Sequence, residues 1–121
     1  MAGDWQWQAT GAGVPLAAEG GWSEVSWHHE KSCDFLEIEQ PLSHGFKLER
    51  QVFLARTELF MFVADCLMGP ANSVASEIRY TQTLPLAAKA AFATGTETRE
   101  GWLSADGRRR ASVVPVAQTE W

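Results

Sequence analysis

The chain has 121 residues, a formal net charge of −5 and a hydrophobic content of 45%. This length is enough for one domain with a continuous core, so we predict a single domain over residues 1–121. The acidic balance excludes a general nucleic-acid binder, although Arg108, Arg109 and Arg110 could form a local basic patch. No segment has the length of a membrane span and no export signal is visible, so we expect a soluble protein without a membrane partner.

The first strand pattern covers residues 4–8, where aromatic and polar residues alternate. Alternation places Trp5 and Trp7 on one face, near a glycine-rich segment. We expect both rings to be exposed and to form a small platform that contacts the apolar face of a sugar ring. Trp27 and Trp102 lie within later strand patterns and are assigned to the core.

Residues 22–29 form the next strand pattern, which ends in two adjacent histidines. Together with His44 in a later turn, His28 and His29 could supply nitrogen ligands to zinc. Adjacent residues on a strand point to opposite faces, however, so these two cannot enter one site without a bulge. We therefore favour surface histidines and predict no metal or other cofactor.

Residues 33–39 alternate between apolar and acidic side chains, with Leu36 and Ile38 on the inward face. This half-buried pattern is typical of an outer antiparallel strand. Cys33 and Cys66 each lie in an apolar run, where a buried free thiol behaves as a small hydrophobic residue. A single bridge between them stays open as an alternative.

The central feature is the stretch 45–68, which contains two runs with a two-residue period, 48–54 and 59–67. The polar break between them is short, so the runs are predicted to pair as an antiparallel hairpin. The second run is apolar on both faces, which is typical of a central strand. The same register places Arg50 opposite Asp65. We predict an ion pair that fixes the register, in preference to a charged substrate cleft.

The remainder of the chain continues as strands and turns. Residues 76–84 alternate again, and the alanine-rich segment 85–92 is interpreted as strand or loop in preference to a short helix. Two further strands are predicted over 94–104 and 110–118, with a tight turn at 105–107. Short strands separated by turn residues indicate an all-β fold, an antiparallel β-sandwich built from consecutive hairpins.

Several motifs follow one another in order: Trp27-His28-His29, CDFLE at 33–37, LERQVFLAR at 48–56, FVAD at 62–65, and Gly69. In this order they resemble the β-sandwich region of heparinase II/III-like proteins, a polysaccharide-lyase family. The resemblance implies a β-domain that packs against an α/α-toroid and helps to form a cleft for acidic polysaccharides. It is compatible with a periplasmic or secreted location. This chain contains no toroid, and its adjacent histidines differ from the family's histidine motif, so no catalytic residue is carried over.

We therefore expect a non-catalytic module that contacts a polysaccharide or a separate toroid-type helical subunit. One alternative is a structural domain whose exposed edge or apolar face docks another polypeptide. A self-contained lyase or metal-dependent hydrolase is a further alternative, but the sequence contains no complete catalytic constellation. The arginines at 108–110 could meet an acidic sugar, although such a run after Asp106 and Gly107 is more typical of a solvated turn.

Overall fold

The computed structural model describes residues 5–71 and 77–116, which form ten strands, one 3-10 turn and no α-helix. The strands are β1 (Gln6–Gly11), β2 (Val14–Leu16), β3 (Ser23–His29), β4 (Cys33–Pro41), β5 (Lys47–Ala55), β6 (Phe60–Met68), β7 (Ile78–Thr83), β8 (Ala90–Thr94), β9 (Gly101–Ala105) and β10 (Arg108–Val113). They form three antiparallel sheets with the orders β2-β1-β7, β3-β4-β5-β6 and β10-β9-β8. The predicted all-β class is confirmed, while its arrangement as a sandwich stays a prediction.

The described chain divides into two compact units. The larger unit comprises residues 7–71 and 77–81, and the smaller unit comprises residues 5–6 and 82–116. The four-stranded sheet lies in the larger unit and the sheet β10-β9-β8 in the smaller one. The single domain over the whole chain stays a prediction.

Consecutive hairpins build the four-stranded sheet. In the β5–β6 pair, Arg50 lies opposite Asp65 and Leu48 opposite Leu67, which is the register that the alternation predicts. The predicted places of two strands are wrong, however. The strand β4, predicted as outer, lies inside the sheet, whereas β6, predicted as central, lies at its edge. Alternation reports what surrounds the side chains of a strand, and it does not report how many strands hydrogen-bond to it.

The core of the larger unit lies at the end of β5 and β6 that is far from their connecting turn. Leu42 and Leu48 are its most buried large side chains, at 1% and 0% exposure. The buried and partly buried members of this core are Ala9, Leu16, Leu42 and Leu48, with Trp7, Phe46, Leu67 and Tyr80 packed against them. Residues of β1 and β7 therefore pack against one end of the four-stranded sheet.

Two tight turns have positive φ at both central residues, as type I′ hairpin turns require. Ala12 and Gly13, at φ 51° and 76°, connect β1 to β2. Asp106 and Gly107, at φ 51° and 71°, connect β9 to β10. The second turn confirms the prediction for residues 105–107.

The smaller unit is a three-stranded meander. The alanine-rich segment contains no helix, as predicted, and its strand begins at Ala90. The strand predicted over 94–104 is wrong in its first half, because residues 95–100 form a loop closed by a hydrogen bond from the Gly95 amide to the Glu100 carbonyl at 2.8 Å. The last strand begins at Arg108 and ends at Val113, so Arg108, Arg109 and Arg110 belong to a strand and not to a turn. Residues 117–118 of that prediction lie outside the described residues.

Candidate functional site

The longest strand edge that the described residues leave without a partner is the outer side of β6. This strand has nine residues and pairs with β5 through its whole length without a bulge. An edge of this kind presents backbone N–H and C=O groups that can pair with another strand. Proteins commonly protect such edges with lysine, proline or a bulge, and the sequence FMFVADCLM has none of these. The edge is therefore open to strand addition.

The one charged residue of β6, Asp65, does not protect this edge. Its side chain is 5% exposed, and Arg50 donates to both carboxylate oxygens, from Nε at 2.7 Å and from Nη2 at 2.8 Å. The Tyr80 hydroxyl also donates to Asp65 Oδ2. The carboxylate is thus neutralised inside the unit, and the edge carries no net charge.

The surroundings of Arg50 keep this cluster closed. The Trp22 ring covers the guanidinium, with 5.0 Å between the Arg50 Cζ atom and the ring centroid. Burial works to lower the pKa of Arg50, but the hydrogen bonds and charge of Asp65 raise it, and the net shift is upward. Burial and the Asp65 carboxylate raise the pKa of Tyr80 well above its ordinary value. These groups satisfy one another without a substrate, as a structural ion pair does.

Exposed apolar side chains cluster at the N-terminal end of β6. Leu59 in the preceding turn is 90% exposed at φ 51°, and Phe60 and Met61 are 51% and 58% exposed. Leu54, directly opposite Met61 on β5, is 41% exposed. We call these four residues the apolar tip. Large apolar side chains that are exposed together often mark an interaction surface.

Two apolar rows continue the apolar tip on the two faces of the sheet. The register gives one row as Trp27, Leu36, Val52 and Val63, and the row on the opposite face as Phe35, Phe53 and Phe62. Trp27 is 54% exposed, and the other members of both rows are half-buried. A partner strand beside β6 would therefore find apolar neighbours on both of its faces.

A charged cluster lies beside the apolar tip, on the face that carries Trp27. Asp34 accepts hydrogen bonds from Arg56, at 3.0 Å from Nε and 2.6 Å from Nη2, and it also contacts His29 Nδ1. Arg56 is the main cause of the lowered pKa of Asp34, and His29 adds to it. These charges compensate one another, so they add polarity around the apolar surface without a net field.

The three histidines considered as metal-ligand candidates do not meet. His28 contacts Glu30 at 2.9 Å, whereas His29 contacts Asp34. The β3 bulge that could have brought both to one side lies between Glu24 and Ser26. His44 is exposed in the 3-10 turn Ser43–Gly45. Within ranges 5–71 and 77–116, no three His, Cys, Asp or Glu side chains form a group that could hold a metal ion.

The exposure predicted for two tryptophans is inverted. Trp7 is half-buried, packs against the core and donates from Nε1 to Gln40 Oε1 at 3.1 Å, so the expectation of an open ring is wrong. Trp27, assigned to the core, is 54% exposed. Trp5 is half-buried. Carbohydrate contact by Trp5 and Trp7 stays a prediction, but it no longer has an exposed platform at Trp7.

The two cysteines are free thiols. Cys33 lies opposite Ala55 and Cys66 opposite Glu49, on the two sides of β5. Those β5 positions are separated by roughly 20 Å along the strand, since each residue advances about 3.3 Å. The alternative of a bridge is therefore wrong, and so is the burial predicted for Cys66, which is exposed.

Sequence reasoning missed Tyr80, Trp22 and the apolar tip. Tyr80 is the one tyrosine of the chain and falls within an alternating strand, but no local pattern connects it to Asp65. The alternation over residues 59–67 does not reveal the apolar tip, because it predicts a strand covered on both faces. No protein-family model, curated protein or solved structure matches this chain. The described residues include no helix that is long and apolar enough to cross a membrane.

Proposed function

We propose that this protein is a non-catalytic β-module that binds an extended segment of another polypeptide along the outer edge of β6. The observation that carries the proposal is a nine-residue edge without net charge, bulge or proline. In strand addition, main-chain hydrogen bonds supply affinity, and contacts with alternate side chains supply specificity. In the light of the resemblance to heparinase II/III-like proteins, a separate toroid-type helical subunit is the partner that we favour.

The chemistry of the partner segment follows from the neighbours that β6 offers. On one face its side chains would lie beside Met61 and Val63, and on the other beside Phe60 and Phe62. A charged side chain at these positions would lose water without gaining a counter-charge. The segment is therefore expected to be uncharged and apolar on both faces where it lies next to the first half of β6.

The expected affinity is moderate. Covering the half-exposed side chains would gain about 1 kcal/mol or somewhat more for each, and ordering the segment would offset much of this gain. A dissociation constant on the order of micromolar is consistent with such a balance. The partner would then need further contacts, such as those at the apolar tip, to form a long-lived complex.

The direct test is binding of a labelled, nine-residue peptide rich in valine and threonine, followed by fluorescence anisotropy. Met61→Lys places a charge on the edge and is expected to weaken binding about tenfold or more. Val25→Lys is the matched control, because Val25 is 50% exposed on β3 at the other edge of the same sheet. Circular dichroism of both variants checks that they fold.

Amide hydrogen exchange locates the contact. Binding along β6 is expected to slow exchange at residues in β6 and to leave β3 unchanged. Equal weakening by both lysine variants, or protection confined to β3, would overturn the proposal. Light scattering over a concentration series covers self-association. A dimer that Met61→Lys dissociates would make the occupant a second copy of this chain and would overturn a heterologous partner.

A further inference from the structure

Arginines are paired in the larger unit. Arg50 bonds Asp65 at 2.7 Å, Arg56 bonds Asp34 at 2.6 Å, and Arg79 bonds Glu77 at 2.7 Å. Each of these guanidinium groups thus has a carboxylate within its own unit. The positive charge of each of these three arginines is therefore compensated by a neighbouring carboxylate.

The arginines of β10 differ from these. Arg108, Arg109 and Arg110 are consecutive and exposed, and none of them forms a salt bridge or a side-chain hydrogen bond with another described residue. In an acidic chain they form a local concentration of uncompensated positive charge. Guanidinium groups bind carboxylates through two parallel hydrogen bonds, so this surface is suited to an acidic ligand.

The local structure restrains one of these side chains and redirects another. The Arg109 Cζ atom lies 4.2 Å from the centroid of the Trp102 ring, a cation–π contact that restrains the guanidinium. Arg110 is the extra residue of a bulge between Arg109 and Ala111, opposite β9. Bulges redirect a side chain relative to a regular strand. Part of the ordering cost for binding is thus met before a ligand arrives.

The same strand is an edge of its sheet, and its character changes along its length. Within the part of the chain that the structure describes, β10 pairs with β9 alone. After the arginines come Val113, the last residue of β10, and then Val114 and Val116 in the segment beyond the strand, which are 40%, 56% and 71% exposed. The edge of β10 therefore offers open backbone groups and a basic first end, and apolar side chains continue from its last residue into the segment that follows.

We infer that the outer edge of β10, together with residues 114–116 that follow it, binds an extended peptide that is acidic at one end and apolar at the other. Charge complementarity with Arg108, Arg109 and Arg110 selects the acidic end, and the exposed valines select the apolar end. Antiparallel pairing is slightly more stable per residue than parallel pairing. The peptide should therefore have its apolar residues first and its acidic residues last, because β10 runs from arginine to valine.

Three labelled heptapeptides test this with the full chain, by fluorescence anisotropy. The first has alternating valine and threonine followed by three glutamates, the second reverses that order, and the third replaces glutamate with lysine. The first peptide is expected to bind about tenfold more tightly than either of the others. Its affinity should fall as salt increases, because exposed charge pairs are screened.

Variants separate this edge from general electrostatics and from β6. Arg109→Glu is expected to weaken the first peptide about tenfold, while Lys31→Glu, the same charge change at an exposed residue of the larger unit, should change its affinity less than about twofold. Met61→Lys should leave this binding unchanged, which distinguishes it from strand addition at β6. Circular dichroism confirms that each variant is folded.

Three results would overturn the inference. The first is equal binding of the lysine peptide, and the second is equal weakening by Lys31→Glu and Arg109→Glu. The third is equally tight, Arg109-dependent binding of a single-stranded oligonucleotide or a sulfated oligosaccharide with the same charge. That last result would show recognition of anionic charge without the apolar end of the peptide.

Discussion

Arg50 and Asp65 face each other across β5 and β6 and are joined by two hydrogen bonds of 2.7 and 2.8 Å. Both side chains are almost completely covered, at 6% and 5% exposure. Tyr80 donates to the same carboxylate from β7. One buried anion therefore connects three strands, two of which are adjacent in one sheet while the third belongs to another.

Breaking this pair should destabilise the protein strongly. Arg50→Met or Asp65→Asn is expected to lower the free energy of unfolding by about 2–4 kcal/mol, because each leaves a buried group without its counter-charge. Urea denaturation followed by tryptophan fluorescence measures the loss.

The double variant Arg50→Met with Asp65→Leu is the control for this interpretation. It should recover much of the loss, since two apolar side chains can replace a buried ion pair. Single variants with unchanged midpoints would contradict the buried pair, and a double variant with fully additive losses would contradict the coupling between the two residues.

Tyr80 should make stability depend on pH in the alkaline range. Its pKa is raised in the folded state, chiefly by burial and then by Asp65. Above about pH 10 the unfolded chain loses the phenol proton while the folded chain keeps it. The free energy of unfolding should then fall by at most about 1.4 kcal/mol per pH unit from this group.

Tyr80→Phe should remove this alkaline contribution and also lose one hydrogen bond to Asp65 at neutral pH. Because the chain has one tyrosine, the increase in near-ultraviolet absorption that accompanies tyrosinate formation reports this group, while the six tryptophans contribute a background that does not titrate in this range. Tyrosinate absorption that develops near pH 10 in the folded protein would contradict a raised pKa.

Asp34 should affect stability in acid. Hydrogen bonds from Arg56 and His29 lower its pKa below the ordinary value of 3.8. Its contribution is present above that value and is lost as pH falls through the lowered folded pKa. Asp34→Asn should therefore make the free energy of unfolding depend less on pH below about pH 4, as measured by urea denaturation at a series of pH values. If the variant loses stability in acid as steeply as the unmodified protein does, other carboxylates cause the pH dependence.

The tryptophans should differ in their effect on stability. Trp7→Ala removes a ring from the core and leaves Gln40 without one partner, so a loss of about 2–3 kcal/mol is expected. Trp27→Ala removes a side chain that is 54% exposed and should cost less than about 1 kcal/mol. Urea denaturation of both variants under the same conditions measures the two losses. A larger loss for Trp27→Ala than for Trp7→Ala would contradict this prediction.

The sequence predicted the all-β class and the β5–β6 register because both depend on local alternation. Side chains that alternate with a period of two fix which residues share a face, and this was enough to place Arg50 opposite Asp65. The turn at Asp106 and Gly107 could also be predicted from local sequence, since both residues favour positive φ.

Features that depend on distant parts of the chain could not be obtained in this way. Trp7 and Trp27 both occupy alternating strands, and the difference in their burial depends on which face another sheet covers. For β6, apolar residues on both faces suggested a central strand, although the sheet ends there. This difference leads to the proposed binding edge. A central strand forms backbone hydrogen bonds on both sides, whereas an edge strand leaves the backbone groups of one side available to another strand.

The pairing of β1 with β7 also has a consequence for the order of folding. The strands β3 to β6 can form through hairpins of neighbouring residues, whereas β1 and β7 are separated by roughly 70 residues. Closing that loop costs more chain entropy than closing a hairpin, and non-local pairings form slowly. We therefore expect the hairpins of β3 to β6 to form early and the β1–β7 contact to form late.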